Sequence, residues 1–178
     1  TGTKEKKFGI DFKQAEEIFD NANKYSHVKL KGIHVHIGSQ ITDPKPFVKA
    51  VKKVLAFLDK SNIQIEWLNL GGGLGIIYKD EPLTTAKEFA KHLIPVIRNR
   101  SFKFILEPGR FISGNSGILV TKVLYVKKGS TGKKFAIVDA GMNDLLRPSL
   151  YEAYHEIRPV VKRKSKKSKY DVVGPICE

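Results

Sequence analysis

Strand-like and helix-like segments alternate along the first two thirds of the chain, with a repeat of about 35 residues. Short runs rich in β-branched residues predict strands at 30–37, 63–70 and 103–106, and apolar residues at helical spacing predict helices at 12–25, 44–60 and 84–100. The first helix is preceded by Asp11, with Gln14 three residues later, which is the pattern of a capping box. This spacing is typical of βα units and predicts a parallel sheet.

The pattern changes after Arg110. A strand at 117–127, a turn at 129–132 and a returning strand at 133–139 predict an antiparallel hairpin, and 157–162 with 170–173 predict a further pair. The expected fold class is therefore α/β: a partial (β/α)8 TIM-type barrel in residues 1–112, followed in 113–178 by the start of an antiparallel β domain, a sandwich or a barrel. Because three βα units cannot close an eight-stranded barrel, we expect a fragment of a longer chain.

Composition restricts the classes of function. No apolar run approaches the roughly 18 residues needed to span a bilayer, and the single cysteine excludes an internal disulfide, so a soluble cytoplasmic protein without a membrane partner is expected. The net charge of +14 raises the possibility of nucleic-acid binding. However, the one basic cluster, 162–169, has no interleaved aromatic residue and is explained by a solvated hairpin loop, so no nucleic-acid partner is predicted.

Candidate site residues follow the predicted strands, because ligands of parallel α/β folds bind at the carboxyl ends of strands. The run Gly71–Gly75 follows the second strand and supplies backbone amides that can approach a phosphate, although a tight turn explains the run equally well. Arg110 follows the third strand and can bind a phosphate or a carboxylate through two parallel hydrogen bonds. A phosphorylated ligand is therefore expected at this edge.

Glu107 ends the third strand, and Pro108 removes the next amide donor. The carboxylate either forms a salt bridge with Arg110 or keeps a ring nitrogen of a ligand protonated, since opposite charge favours the charged form. Both interpretations remain open from the residues alone.

Histidine and cysteine offer further chemistry. His34 and His36 lie on one face of the first strand. They either contribute to a metal site or place one imidazole against a flat cofactor. No further histidine is found at the other strand ends, which favours the second option and no metal. Cys177 is either a buried apolar thiol or a proton donor, since the neighbouring Glu178 disfavours a standing thiolate.

Together these pieces resemble the fold-type III pyridoxal-phosphate-dependent decarboxylases, in the branch that acts on diaminopimelate. The resemblance covers the chain in order and rests on seven stretches: 1–2 with 7–11, 34–40, 69–76, 107–110, 139–144, 147–151 and 174–178.

The resemblance implies a role for each matched residue. The cofactor pyridoxal 5'-phosphate would be bound by His36, which stacks on the ring, and by Ser39, Gly71, Gly72, Gly73, Glu107, Pro108, Gly109 and Arg110. Glu107 would pair with the pyridine nitrogen. The substrate would be bound by Arg110, Arg147, Tyr151 and Glu178, with Arg110, Arg147 and Tyr151 binding its carboxylates. Cys177 would act as a catalytic proton donor, reaching the active site of the other subunit of a homodimer.

The activity implied is the decarboxylation of meso-2,6-diaminopimelate to L-lysine and CO2, the last step of lysine biosynthesis. Two alternatives are a related decarboxylase of ornithine, arginine or carboxynorspermidine, and a non-catalytic homologue that binds cofactor or a partner; Arg147, Tyr151 and Glu178 argue against substrates that end in an amine. The family's Schiff-base lysine lies upstream of the matched stretches, so these residues alone are expected to be inactive.

Overall fold

Helices and strands alternate between residues 12 and 113 of the computed structural model, which describes residues 7–82, 84–162, 164 and 168–177. The elements in chain order are α1 (Phe12–Asp20), β1 (Gly32–His34), α2 (Lys45–Lys60), β2 (Trp67–Asn69), α3 (Ala86–Ile97), β3 (Lys103–Ile105), α4 (Gly109–Ser113), β4 (Val123–Lys128), β5 (Lys134–Val138), α5 (Arg147–Tyr151) and β6 (Asp171–Val173). No helix in these ranges is both long and apolar enough to cross a membrane.

The first three strands form the predicted parallel sheet, and their order in it is β1-β2-β3. The predicted capping box of α1 is also present, and α3 continues through Pro95. The strands are shorter than predicted, with paired residues at 32–34, 67–69 and 103–105. Register places His34 beside Asn69, and Asn69 beside Ile105. The carboxyl ends of all three strands therefore lie at one edge of the sheet.

The core of this first unit lies between the sheet and the helices. Leu68 and Leu70, from the central strand and its end, are almost completely buried, and the rings of Phe47 on α2 and Phe89 on α3 meet edge to face at 5.0 Å. Aromatic pairs of this geometry add about 1 kcal/mol to the burial of their area. This packing holds the two helices against the sheet and fixes the positions of the strand ends.

The chain divides into two compact units, with the boundary between Ser116 and Gly117 and with Tyr78–Asp80 belonging to the second unit. In the second unit, β4 and β5 form the predicted antiparallel hairpin, with a register shift between Val123 and Tyr125. The expectation of a further antiparallel pair is wrong. Residues 157–162 form no strand, and β6 pairs with β5 in parallel, because the chain returns to β5 in the same direction.

Asp139 joins the end of β5 to the segment that leads into β4. Its Oδ1 accepts hydrogen bonds from the Thr121 hydroxyl at 2.6 Å and from the Lys122 amide at 2.8 Å. These hydrogen bonds lower the pKa of the Asp139 carboxyl. The bond from Thr121 is the largest cause, and the bond from the Lys122 amide is the next. A carboxylate that accepts hydrogen bonds is stabilised in its charged form.

We expect Asp139 to make stability depend on pH. Its pKa is lower in the folded state than the value of about 3.9 in an unfolded chain, so its contribution is complete above that pH and is lost as pH falls through the folded pKa. Urea unfolding should therefore show the wild type to be more stable than Asp139→Asn near neutral pH, with the difference shrinking in acid. Asp20→Asn, on the exposed end of α1, controls for the loss of one charge. A wild-type advantage that persists unchanged in strong acid would contradict this assignment.

Candidate functional site

Three side chains meet at the carboxyl ends of the parallel strands. The Asn69 Nδ2 donates a hydrogen bond to Glu107 Oε1 at 2.8 Å, and His34 Nε2 lies 3.8 Å from the same oxygen. The Glu107 side chain is still 51% exposed. A carboxylate is thus oriented by a neutral donor from the neighbouring strand and remains open to a ligand.

Glu107 does not pair with Arg110, so the salt bridge that the sequence left open is wrong. Arg110 instead donates from Nη1 to Gln40 Oε1 at 3.2 Å. The same Gln40 donates from Nε2 to the Ile76 carbonyl, and the Ile76 amide donates to Gln40 Oε1 at 3.3 Å. Gln40 therefore connects the guanidinium to the backbone that follows the glycine run, and the acid and the arginine remain available for different parts of a ligand.

The glycine run is a tight turn packed between the two flanking strand ends. The Gly71 amide donates to Asn69 Oδ1 at 2.7 Å, and the Gly71 carbonyl accepts from the Glu107 amide at 2.9 Å. Gly71 has φ +65°, and a Cβ there would lie 2.8 Å from the Val35 carbonyl oxygen and 2.9 Å from His36 Nδ1. A side chain at this position would therefore combine backbone strain with a clash.

The same close approach continues one residue further. A Cβ on Gly72 would lie 2.5 Å from the Glu107 carbonyl oxygen, and Gly73 has φ +103°. The glycines let the turn pack against both neighbouring strand ends. This packing alone requires glycine, independently of any anion that the amides hold. Phosphate binding by Gly71, Gly72 and Gly73 stays a prediction.

Other predicted residues of the first unit lie around this edge. His36 is exposed, and a Cβ on Gly71 would lie 2.9 Å from its Nδ1. Ser39 is exposed after the buried Gly38, and Gly109 begins α4 directly after Pro108. Within the described ranges, no group of three His, Cys, Asp or Glu side chains could hold a metal ion.

The remaining predicted site residues lie in the second unit. Arg147 and Tyr151 are the first and last residues of α5; Arg147 is half-buried and Tyr151 is 68% exposed. Cys177 is exposed, so the alternative of a buried apolar thiol is wrong. Glu178 and part of the basic cluster 162–169 lie outside the described residues.

Two residues of the site were not predicted. Asn69 orients both Glu107 and the Gly71 amide, and Gln40 supports Arg110. Asn69 could have been recognised as the polar residue that ends a strand two positions before a glycine run. Gln40 has a left-handed backbone, φ +56°, and the sequence contains no comparable signal for it.

The chain belongs to the family described as pyridoxal-dependent decarboxylases, pyridoxal binding domain, which matches residues 1–114. This confirms the predicted family of fold-type III pyridoxal-phosphate-dependent decarboxylases and the α/β class with a partial (β/α)8 barrel.

Its similarity to individual members extends over the whole chain. It is 49% identical to the diaminopimelate decarboxylase of Aquifex aeolicus (strain VF5) and 43% identical to that of Vibrio cholerae serotype O1, in each case over 100% of this chain and 43% of the relative. The crystal structure of diaminopimelate decarboxylase from Helicobacter pylori complexed with L-lysine superposes with a TM-score of 0.89 at 42% identity, covering 100% of this chain and 45% of that one. The chain thus spans less than half the length of the relatives it matches.

Pyridoxal phosphate is the cofactor that this family membership implies. The chemistry of the side chains at the strand ends fits it: an open carboxylate suits a protonated pyridine nitrogen, an exposed imidazole suits the face of an aromatic ring, and a guanidinium suits a phosphate. These groups are Glu107, His36 and Arg110.

Proposed function

We propose that the full-length protein decarboxylates meso-2,6-diaminopimelate to L-lysine and CO2 with pyridoxal phosphate, as the last step of lysine biosynthesis. The observation that carries the proposal is the Glu107 carboxylate, which Asn69 orients while it remains half exposed and unpaired with Arg110. The diaminopimelate decarboxylase relatives, 40–49% identical over the entire chain, support the choice of substrate.

The proposed cofactor site uses residues of the first unit. Glu107 faces the pyridine nitrogen and keeps its proton, since a neighbouring negative charge favours the charged pyridinium. His36 covers the ring with Ser39 beside it. The phosphate is held by backbone and side-chain donors of Gly71, Gly72, Gly73, Gly109 and Arg110, with Pro108 shaping the turn. When bound, the cofactor supplies an electron sink for the charge that CO2 leaves at Cα.

The proposed substrate residues are Arg110, Arg147, Tyr151 and Glu178. Arg147 and Tyr151 hold the distal carboxylate of diaminopimelate, and Glu178 also contacts the substrate. Cys177 returns a proton to Cα after CO2 has left; its exposed position leaves the thiol accessible for that transfer.

The proposal extends to the assembly and the cell. Residues 1–112 form the C-terminal part of the cofactor-binding barrel, and 113–178 begin the β domain. Two subunits form a homodimer in which Cys177 and Glu178 of one subunit reach the active site of the other. The enzyme acts in the cytoplasm, the compartment in which a free thiol such as Cys177 persists.

The test is CO2 release by the full-length protein from diaminopimelate, ornithine and arginine, measured in parallel with added pyridoxal phosphate. Release from diaminopimelate alone, or at a far higher kcat/KM than from the other two, is expected. Preferred release from ornithine or arginine would contradict the substrate assignment, and no release from any of them would contradict the enzymatic one.

A further inference from the structure

Arg147 makes two contacts of different kinds with one side chain, Tyr78. Its Nη1 donates a hydrogen bond to the Tyr78 hydroxyl at 3.1 Å, and its Cζ lies 5.3 Å from the centroid of the Tyr78 ring. The hydroxyl fixes one nitrogen and the ring attracts the cation as a whole. Both residues belong to the second unit.

No carboxylate in the described part of the chain pairs with Arg147. Its Nε is buried and has no hydrogen-bond partner among those residues. Arg100 and Arg158, by contrast, each donate to a carboxylate, those of Asp59 and Glu156. Buried donors are nearly always satisfied, so the unpaired Nε calls for a partner. The Arg147 guanidinium is held by a neutral ring and has no counter-charge among the described residues, so it is suited to an anion that arrives with a ligand.

Tyr78 is itself held in place by a neighbouring ring. The His155 imidazole lies 6.0 Å from the Tyr78 ring at an interplanar angle of 74°, and His155 is half-buried with a buried Nε2. An edge-to-face contact of this kind restricts the orientation of the tyrosine. His155 therefore restricts Tyr78, and Tyr78 in turn holds the guanidinium of Arg147.

We propose that Tyr78 is a positioning residue that determines specificity for a substrate carrying a distal carboxylate. It acts through Arg147, by holding the guanidinium in the orientation that receives the carboxylate, and it does not contact the substrate itself. The inference rests on the proposed function, because that function supplies the carboxylate.

The test compares two ligands of the full-length holoenzyme by calorimetry. L-Lysine retains the carboxylate that Arg147 is proposed to hold, and cadaverine has the same diamine chain without it. Tyr78→Phe removes only the hydroxyl and should weaken L-lysine binding roughly tenfold or more, the effect of one hydrogen bond to a charged group, while cadaverine binding stays within about twofold. Tyr78→Leu also removes the ring and should weaken L-lysine binding by roughly a further threefold.

Tyr25→Phe is the matched control, because this tyrosine lies in the first unit and is 44% exposed; it should change neither affinity. Equal weakening of both ligands by Tyr78→Phe, or no weakening of either, would contradict the proposed role. CO2 release by the wild type separates the role of Tyr78 from the proposed function. If the wild type releases CO2 from diaminopimelate and Tyr78→Phe keeps the wild-type ligand preference, only the role of Tyr78 is overturned. A wild type that releases none overturns the proposed function.

Discussion

Glutamine in place of Glu107 is expected to lower kcat for diaminopimelate by roughly 100-fold or more in the full-length protein, the usual effect of removing one preorganised charge from a reacting system. The substitution keeps the size of the side chain, and its Oε1 can still accept from Asn69 Nδ2, so the strand ends should keep their arrangement. Only the negative charge that favours a protonated pyridine nitrogen is lost. The measurement is steady-state CO2 release with saturating cofactor, together with the dissociation constant of pyridoxal phosphate.

Glu66→Gln is the matched control. Glu66 is exposed to a similar degree, 53% against 51%, but it precedes β2 and pairs with Lys31. Its substitution should leave kcat unchanged. If Glu107→Gln retains full activity with the cofactor bound, Glu107 does not control the pyridine nitrogen.

Alanine in place of Arg147 is expected to raise the KM for diaminopimelate by about 100-fold, because two hydrogen bonds to a charged carboxylate are lost and each is worth about 1.5 kcal/mol or more. The affinity for pyridoxal phosphate should change far less, since the proposed cofactor residues lie in the first unit. Steady-state kinetics and cofactor titration measure the two quantities separately.

Arg158→Ala controls for the loss of one arginine from the second unit. Arg158 is exposed and pairs with Glu156, so its removal should leave the KM unchanged. Unchanged kinetics of Arg147→Ala with diaminopimelate would remove Arg147 from the substrate site. A melting temperature close to that of the wild type shows that each variant is folded.

The parallel sheet was predictable because βα units repeat a strong local pattern. Apolar periodicity indicates the helices, and the capping box at Asp11 marks where α1 begins, without reference to the rest of the chain. The end of the second unit was predicted less well. The partner and direction of β6 depend on how the chain returns to β5, and no local residue pattern encodes that return.

The candidate site was predictable where a residue type at a strand end limits the chemistry, as for Glu107 and Arg110. The supporting contacts of Asn69 and Gln40 were not, because each joins segments more than thirty positions apart in sequence. The choice between a Glu107–Arg110 ion pair and two independent groups likewise depended on side-chain geometry. Sequence therefore identified the reactive groups, and the structure identified what orients them.

The central claim is that Glu107 keeps the pyridine nitrogen of the cofactor protonated. Nitrogen-15 NMR of the full-length protein loaded with pyridoxal phosphate labelled at the ring nitrogen tests it directly. We expect the chemical shift of a protonated nitrogen in the wild type and in Glu66→Gln, and that of an unprotonated nitrogen in Glu107→Gln. An unprotonated nitrogen in the wild type, or a protonated one in Glu107→Gln, would contradict it.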